Sequence, residues 1–492
     1  YQSGNPTVFN TKQVDFDGLD DFLELGSQSG VLRLAGSNGS ISAWINPEIT
    51  GDIFQRIIDK SDSGNAANGY AMVVDSNNVE CYMNSGVEIV RSTTQLTANR
   101  WYHALWTWDG TNHKLYIDGV LEDTTASVKL PPSVTTNMRI GSWNHATSRE
   151  YNGKMSQIGI WNEALTADEV SSLYNHGLPV DLSTNQAAYE SSSNLVGYWR
   201  MGSGTLDSYP LIADQTNATL GSELVVNGDF ATDSDWTKGT GWTIANNLAN
   251  FNGSSYSAFR QNVGLIIGKI YEVTFDLNIT SGNVTFQLGG AATAFNSSAT
   301  HTFYETATDN GAYSPFISLY SSTSSIFSID NVSVKEVNGN PAIMTNMTAS
   351  DIENGSPYAQ LVQNSDFDSS TNWDLTGTNI PLIEDGLLKF SFSTGTYSRA
   401  KQTPLGAGTF NVTYVVKTSS NASLTLREYS GTSSQTIPST VGTHTVQKTF
   451  TGNGFALQSG GNDTGVLELE SITISEVNTG LQGYWKMGSG IN

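Results

Sequence analysis

A single cysteine, Cys81, stands among 492 residues. That excludes an internal disulfide framework, which a secreted eukaryotic β-domain would often carry, and a bacterial or viral source fits better. Positive charge is also scarce: 23 Lys and Arg face 46 Asp and Glu, a formal net charge of −23. Nucleic-acid binding needs a basic stripe to displace counterions, and no run of Lys and Arg occurs, so no nucleic-acid partner is expected. No apolar run approaches the ~18 residues of a membrane-crossing helix, so no membrane insertion is expected either. Catalytic signatures are missing too. Glu-x-Asp-x-x-Glu, which would place paired acids on one strand face, does not occur, nor do Gly-x-Ser-x-Gly and His-Glu-x-x-His. The six histidines are scattered. The expectation is a protein that is not an enzyme.

What the chain has in quantity is turn chemistry: 48 glycines and recurrent Ser, Thr and Asn suit short strands joined by tight turns. Alternation supports the same class. Ile41, Ala43 and Ile45 are offset from Ser42, Trp44 and Asn46, and Tyr271, Val273, Phe275, Leu277 and Ile279 from Glu272, Thr274, Asp276 and Asn278. Both stretches read as half-buried strands, because strand side chains switch faces with period two. One short helix is expected, capped by Thr166, carrying Asp168 and Glu169 in its first turn and stopping near Gly177. The fold class is all-β, a tandem of antiparallel β-sandwiches, and the length calls for three or four domains.

Two repeats set the boundaries. Leu224-Val225, Asn227, Asp229-Phe230 and Trp236 return as Leu361-Val362, Asn364, Asp366-Phe367 and Trp373, and Phe327–Asn338 aligns without a gap to Leu467–Asn478. Each copy is long enough for a sandwich with its own core, which predicts equivalent buried positions for Trp236 and Trp373. Separately, Gly197-Tyr-Trp-Arg-Met-Gly-Ser-Gly204 returns as Gly483-Tyr-Trp-Lys-Met-Gly-Ser-Gly490, and the second copy is expected to open a further unit beyond residue 492. The expected organisation is a first domain at 1–182, a linker at 183–221, modules at 222–338 and 359–478 separated by a linker at 339–358, and the start of the second motif at 479–492.

The first domain resembles the laminin-G-like branch of the concanavalin A-like lectins. The resemblance rests on Phe16-Asp-Gly-Leu-Asp-Asp-Phe22, Ile41-Ser-Ala-Trp-Ile45, Trp101-Tyr-His103, Leu115-Tyr-Ile-Asp-Gly119 and Ile160-Trp-Asn-Glu-Ala-Leu-Thr166. The two later modules are similar to carbohydrate-binding jelly-rolls, through Asn-Gly-Asp-Phe followed by Trp and the closing Ile329-Asp-Asn-Val332 strand. The combination of modules and linkers resembles structural proteins of marine bacteriophages. These resemblances imply a virion-surface or extracellular protein, a fibre, appendage or capsid decoration, with glycans and copies of itself or other virion proteins as partners. A filament subunit that binds no sugar and the accessory region of a secreted polysaccharide hydrolase remain alternatives.

The resemblances also imply sites. Calcium, held by six to eight oxygens, is expected at Asp17, Asp20 and Asp21 in the first domain, although Ser156-Gln157 replaces an acid such families carry. In the jelly-rolls it is expected between Asp229 and Asp330, and between Asp366 and Glu470. Sugar rings stack on exposed aromatic faces beside amides. The candidates are Trp143, Asn144, His145 and Tyr151 on one loop, with Trp242 and Tyr256 in the second module.

Overall fold

The computed structural model describes residues 12–25, 32, 34–48, 54–62, 68–84, 86–143, 149–177, 179–355, 362, 367, 370, 373–391, 395–402, 407–429, 433–451, 454–460 and 464–476. Strand is the predominant regular structure, with one α-helix among the described residues. Two compact units emerge, one of residues 12–172 with 181–354 and one built on the chain after 354.

The first unit holds two sandwiches. In the N-terminal one, a sheet runs in the order Val120–Ala126, Asn112–Ile117, Tyr102–Trp108, Gly39–Pro47, Asn152–Trp161, Lys12–Asp17 and Ile352–Asn354, and Leu195–Trp199 also pairs with Asn152–Trp161. The facing sheet runs Leu211–Ile212, Ala342–Thr345, Phe22–Glu24, Arg139–Ile140, Gln55–Ser61, Gly69–Asp75, Asn78–Met83 and Val90–Arg91. Between them lie Val14, Phe16, Ile41, Ala43, Ile45, Ile58, Met72, Trp106 and Ile158. Ile41, Ala43 and Ile45 do share the core face. Their strand is nevertheless buried along both faces, because Trp44 on the far side packs against the His103 ring at 4.8 Å and Ser42 bonds to His103 Nε2 at 2.7 Å.

The helix forms at Ala167–Tyr174. Thr166 and Glu169 close a capping box: the Glu169 amide donates to Thr166 Oγ1 (3.3 Å) and the Thr166 amide to Glu169 Oε2 (2.9 Å).

The segments read as linkers are not free connectors. From 183–221 come the strands Leu195–Trp199 and Leu211–Ile212, and from 339–358 come Ala342–Thr345 and Ile352–Asn354, all paired into the N-terminal sheets. Trp199, Met201, Ile212, Ala342, Met344 and Met347 join the core of that sandwich. Large rings such as Tyr198 and Trp199 had to be buried somewhere, and the open sheet edges supplied pairing partners. A second cluster of Leu211, Ala213, Ile270 and Val337 ties these strands to the jelly-roll they flank.

That jelly-roll packs a sheet ordered Thr237–Lys238, Ser257–Asn262, Phe316–Ser321, Val284–Leu288, Ala291–Phe295 on one ordered Trp242–Ala245, Leu248–Gly253, Ser325–Glu336, Ile270–Ser281, Ala299–Thr306. In the second unit the order repeats strand for strand: Asp374–Gly377, Tyr397–Gln402, Phe455–Gly460, Leu424–Glu428, Ser434–Ile437 in one sheet, and Leu382–Glu384, Leu387–Ser391, Val466–Glu476, Ala407–Ser420, Gly442–Thr451 in the other. Trp236 and Trp373 precede equivalent strands and are both buried. Each ring meets the Phe of its own motif, Phe230 at 5.6 Å and Phe367 at 5.4 Å. The two phenylalanines also share a left-handed backbone, with φ of 49° and 58°.

Candidate functional site

Exposed rings on a polar sheet face are the chemistry sought, and the first jelly-roll has them. Phe259, Leu319 and Phe286 point into its core, so their strand neighbours point outward. Register places Ala258, Tyr320 and Thr285 in one outward row, and Arg260, Ser318 and Gln287 in the next. Tyr256 is 56% exposed and its ring lies 5.2 Å from that of Tyr320. Arg260 Nη2 donates to the Tyr256 hydroxyl at 3.0 Å, and its guanidinium covers the Tyr313 ring at 4.4 Å. The result is a shelf of three tyrosines, two of them fixed by one arginine, with hydroxyl and amide groups beside it.

The opposite sheet of the same module carries an open cleft of about 390 Å³ lined by Thr243, Asn250, Asn252, Asn278, Thr280 and Ser328, with exposed Ile326 on its wall. Amides and hydroxyls next to an apolar surface can bind a pyranose, which has polar edges and an apolar face.

Tyr256 is thus the predicted ring that the structure exposes. Two others are corrected. Tyr151 is fully buried, edge-on to Phe16 at 6.0 Å, and burial holds its hydroxyl pKa well above the ordinary value. Trp242 is buried and stacked on Phe259 at 4.8 Å, its Nε1 donating to the Ser257 carbonyl. Both rings are large apolar surfaces that pack inward, Trp242 from a strand and Tyr151 from the residue preceding one, and there burial outweighs display. Trp143 is half-buried, and its ring face is already taken by the Arg149 guanidinium at 4.3 Å. Asn144 and His145 lie outside the described residues.

Among the predicted cation ligands, Asp17, Asp20 and Asp21 do converge, their carboxylate oxygens lying within 4.8 Å of one another. Asp17 Oδ1 accepts from the Leu19 amide and Asp21 Oδ2 from the Asp17 amide, at 2.8 and 3.0 Å. Burial, then the charges of Asp17, Asp351 and Asp20 against one backbone hydrogen bond, push the Asp21 carboxyl up to about 6. Three crowded carboxylates with free oxygens fit a hard cation.

The jelly-roll acids are engaged locally. Asp229 is exposed and accepts weakly from the Ala231 amide (3.4 Å), while Asp330 accepts from the Asn331 amide (2.8 Å) and sits opposite Asp276. Glu470 is exposed and pairs loosely with Lys417 at 4.0 Å; Asp366 lies outside the described residues. Sequence reading overlooked Tyr320, Arg260, Tyr313 and the cleft asparagines. The alternation Phe316-Ile-Ser-Leu-Tyr-Ser321 carried the signal for Tyr320, since Ile317 and Leu319 claim the inward face.

Residues 17–171 match a family described as the concanavalin A-like lectin/glucanases superfamily, Laminin_G_3, over less than half of the chain. No curated protein matches the sequence. Solved structures similar to the chain include a putative carbohydrate binding protein from Bacteroides ovatus, at 20% identity over 42% of this chain, with a TM-score of 0.33. The chain spans 56% of that structure's length. A heptameric SAP-like pentraxin from Limulus polyphemus matches at 17% identity, over 34% of this chain and 83% of that one, with a TM-score of 0.28. The CBM40 module of a Ruminococcus gnavus IT-sialidase, bound to α2,3 sialyllactose, matches at 12% identity over 33% of this chain and 97% of its own, also at 0.28.

Proposed function

We propose that this protein is a non-enzymatic glycan-binding protein that displays β-sandwich modules on a virion surface or extracellular assembly. The observation that carries the glycan reading is the exposed Tyr256 ring, packed against half-buried Tyr320 and held by Arg260. Leaving the Tyr256 ring in water and Tyr320 only half covered forgoes part of their burial, and the cost is offset when a sugar face stacks on them. Placement on a virion follows the resemblance in module order to marine phage structural proteins. Single sites of this openness bind weakly, and copies on a fibre or capsid would raise avidity by roughly 10² to 10⁴. The test is a glycan array probed with the chain presented multivalently on beads. Binding to a defined glycan class should fall at least about tenfold in a Tyr256→Ala/Tyr320→Ala variant. If wild type binds no glycan, the same sandwiches serve as a purely structural spacer.

Calcium belongs to this proposal at Asp17, Asp20 and Asp21. The sign of its pH dependence follows from Asp21. Because its folded pKa is raised above the unfolded value of about 4, the charged form costs stability above pH 6, and that cost disappears as pH falls towards 4. Calcium binding should therefore strengthen as pH rises through 6. Without calcium, Asp21→Asn should stabilise the domain at pH 7, on the order of 1–2 kcal/mol, and have no effect at pH 4. Thermal melts with calcium and with chelator at both pH values check this. Identical melts at pH 7 would remove calcium from the proposal.

A further inference from the structure

The second jelly-roll keeps the fold of the first but not the chemistry of its outer face. Matching strand registers makes Tyr397 equivalent to Tyr256, Arg399 to Ala258, Lys401 to Arg260, Gln458 to Tyr320, Ala456 to Ser318 and Arg427 to Gln287. Ala400, Leu457 and Leu426 are buried on the opposite face, with Leu457 and Leu426 deep in the core. Arg399, Lys401 and Arg427 therefore stand together on the outward one. They are three of only six Lys and Arg between residues 359 and 478.

The partners of these cations are unequal. Lys401 is neutralised by Asp374 at 2.8 Å, which also accepts from the Tyr429 hydroxyl at 2.8 Å. Arg399 and Arg427 have no carboxylate partner among the described residues. Instead both donate to one neutral oxygen, Gln458 Oε1: Arg399 through Nε and Nη2 at 3.0 and 2.6 Å, Arg427 through Nη1 at 3.2 Å. Two guanidiniums converging on one amide oxygen repel each other, and Gln458 offers no charge to offset this. Arg399 Nη1 and Arg427 Nε and Nη2 keep N–H groups to donate. Between Lys401 and Arg427 the register places Ala456, which the surrounding side chains cover completely.

We propose that this face binds the oxyanion of an acidic sugar, a carboxylate or a sulfate ester, held by the remaining N–H groups of Arg399 and Arg427 where the two guanidiniums converge on Gln458. The planar guanidinium fork matches either oxyanion through paired, charge-assisted hydrogen bonds. Tyr397 beside Arg399 and Tyr429 beside Lys401 supply rings for the sugar body. A net charge of −23 opposes a dense polyanion, so the ligand carries isolated charges on a glycan rather than a phosphate backbone. The inference rests on the reading of the modules as glycan-binding and assigns the two copies different specificities: neutral glycan for the first, acidic for the second.

The experiment is calorimetric titration of the full chain with an oligogalacturonate, a sulfated galactan oligosaccharide, the neutral galactan oligosaccharide and duplex DNA. At least one charged oligosaccharide should bind more tightly than the neutral one. An Arg399→Ala/Arg427→Gln variant carries the residues the first module already tolerates, and it should weaken charged-probe binding at least about tenfold. Arg427→Lys, which keeps the charge without the fork, should weaken it only several-fold. Neutral-probe binding should respond to Tyr256→Ala/Tyr320→Ala and not to the arginine variants, which separates failure of this site from failure of the first. Charged probes that bind no better than neutral, undiminished binding in the double arginine variant, or equal or tighter binding of DNA would each overturn the proposal.

Discussion

An Asp59→Ala variant should lose about 3–5 kcal/mol of stability, the usual cost of stranding a buried charge, seen as a drop of roughly 10 °C in the melting temperature of the N-terminal sandwich. Asp59 Oδ2 lies 3.0 Å from Arg56 Nε, and neither side chain has any solvent exposure. Asp59 Oδ1 also accepts from the Ser61 amide and hydroxyl, at 3.0 and 2.8 Å. Arg56 has no other carboxylate partner among the described residues, and burial already lowers its guanidinium pKa. The pair borders an apolar patch of Ala71, Val73 and Tyr82. Removing both charges should cost far less than removing one, so Arg56→Met/Asp59→Leu is expected within about 1 kcal/mol of wild type. A double variant as unstable as the single one would show that the pair is needed for more than mutual neutralisation.

A second large effect is expected at Trp199, in the first copy of the repeated Gly-Tyr-Trp motif. Its ring is fully buried in the core of the N-terminal sandwich, and its Nε1 donates to the Asn340 carbonyl at 3.0 Å. It thus holds both crossing segments, one before and one after the first jelly-roll, against the same core. Trp199→Ala should cost about 3–5 kcal/mol through lost burial and the cavity left behind. Protease should then cut within residues 195–215 and 339–354 first, because these strands lose the packing that holds them. If cleavage there were unchanged and the melting temperature held, the segments would be anchored by sheet pairing alone.

The strand class, the repeat and the capped helix were legible because each depends on local pattern. Alternation in Tyr271–Leu277 fixed which face is inward, and Thr166 with Glu169 supplied a cap that needs no distant partner. The candidate sites were less legible. Tyr256 and Tyr151 look alike as residues flanked by polar neighbours, yet one is 56% exposed and the other buried. The difference is whether Phe16 stands opposite the ring, and Phe16 lies on a strand more than a hundred residues away. Asp17, Asp20 and Asp21 were visible because three acids within five residues must be close. Pairs separated by a hundred residues, such as Asp229 and Asp330, carried no such guarantee.

By itself, then, the sequence determined the all-β class, the kinship of the two jelly-rolls and a net charge that opposes a dense polyanion, since period-two burial, repeated residues and net charge are properties of the chain as written. Only the tertiary structure decided that 183–221 and 339–358 are strands of the first sandwich, because open sheet edges capture any extended segment whose apolar side chains can reach the core. Tertiary structure alone also gathered Tyr256, Tyr320 and Arg260 on one shelf, and Arg399, Arg427 and Gln458 on its counterpart. Register between non-adjacent strands sets which outward side chains meet, and it is fixed by the packing of the inward ones.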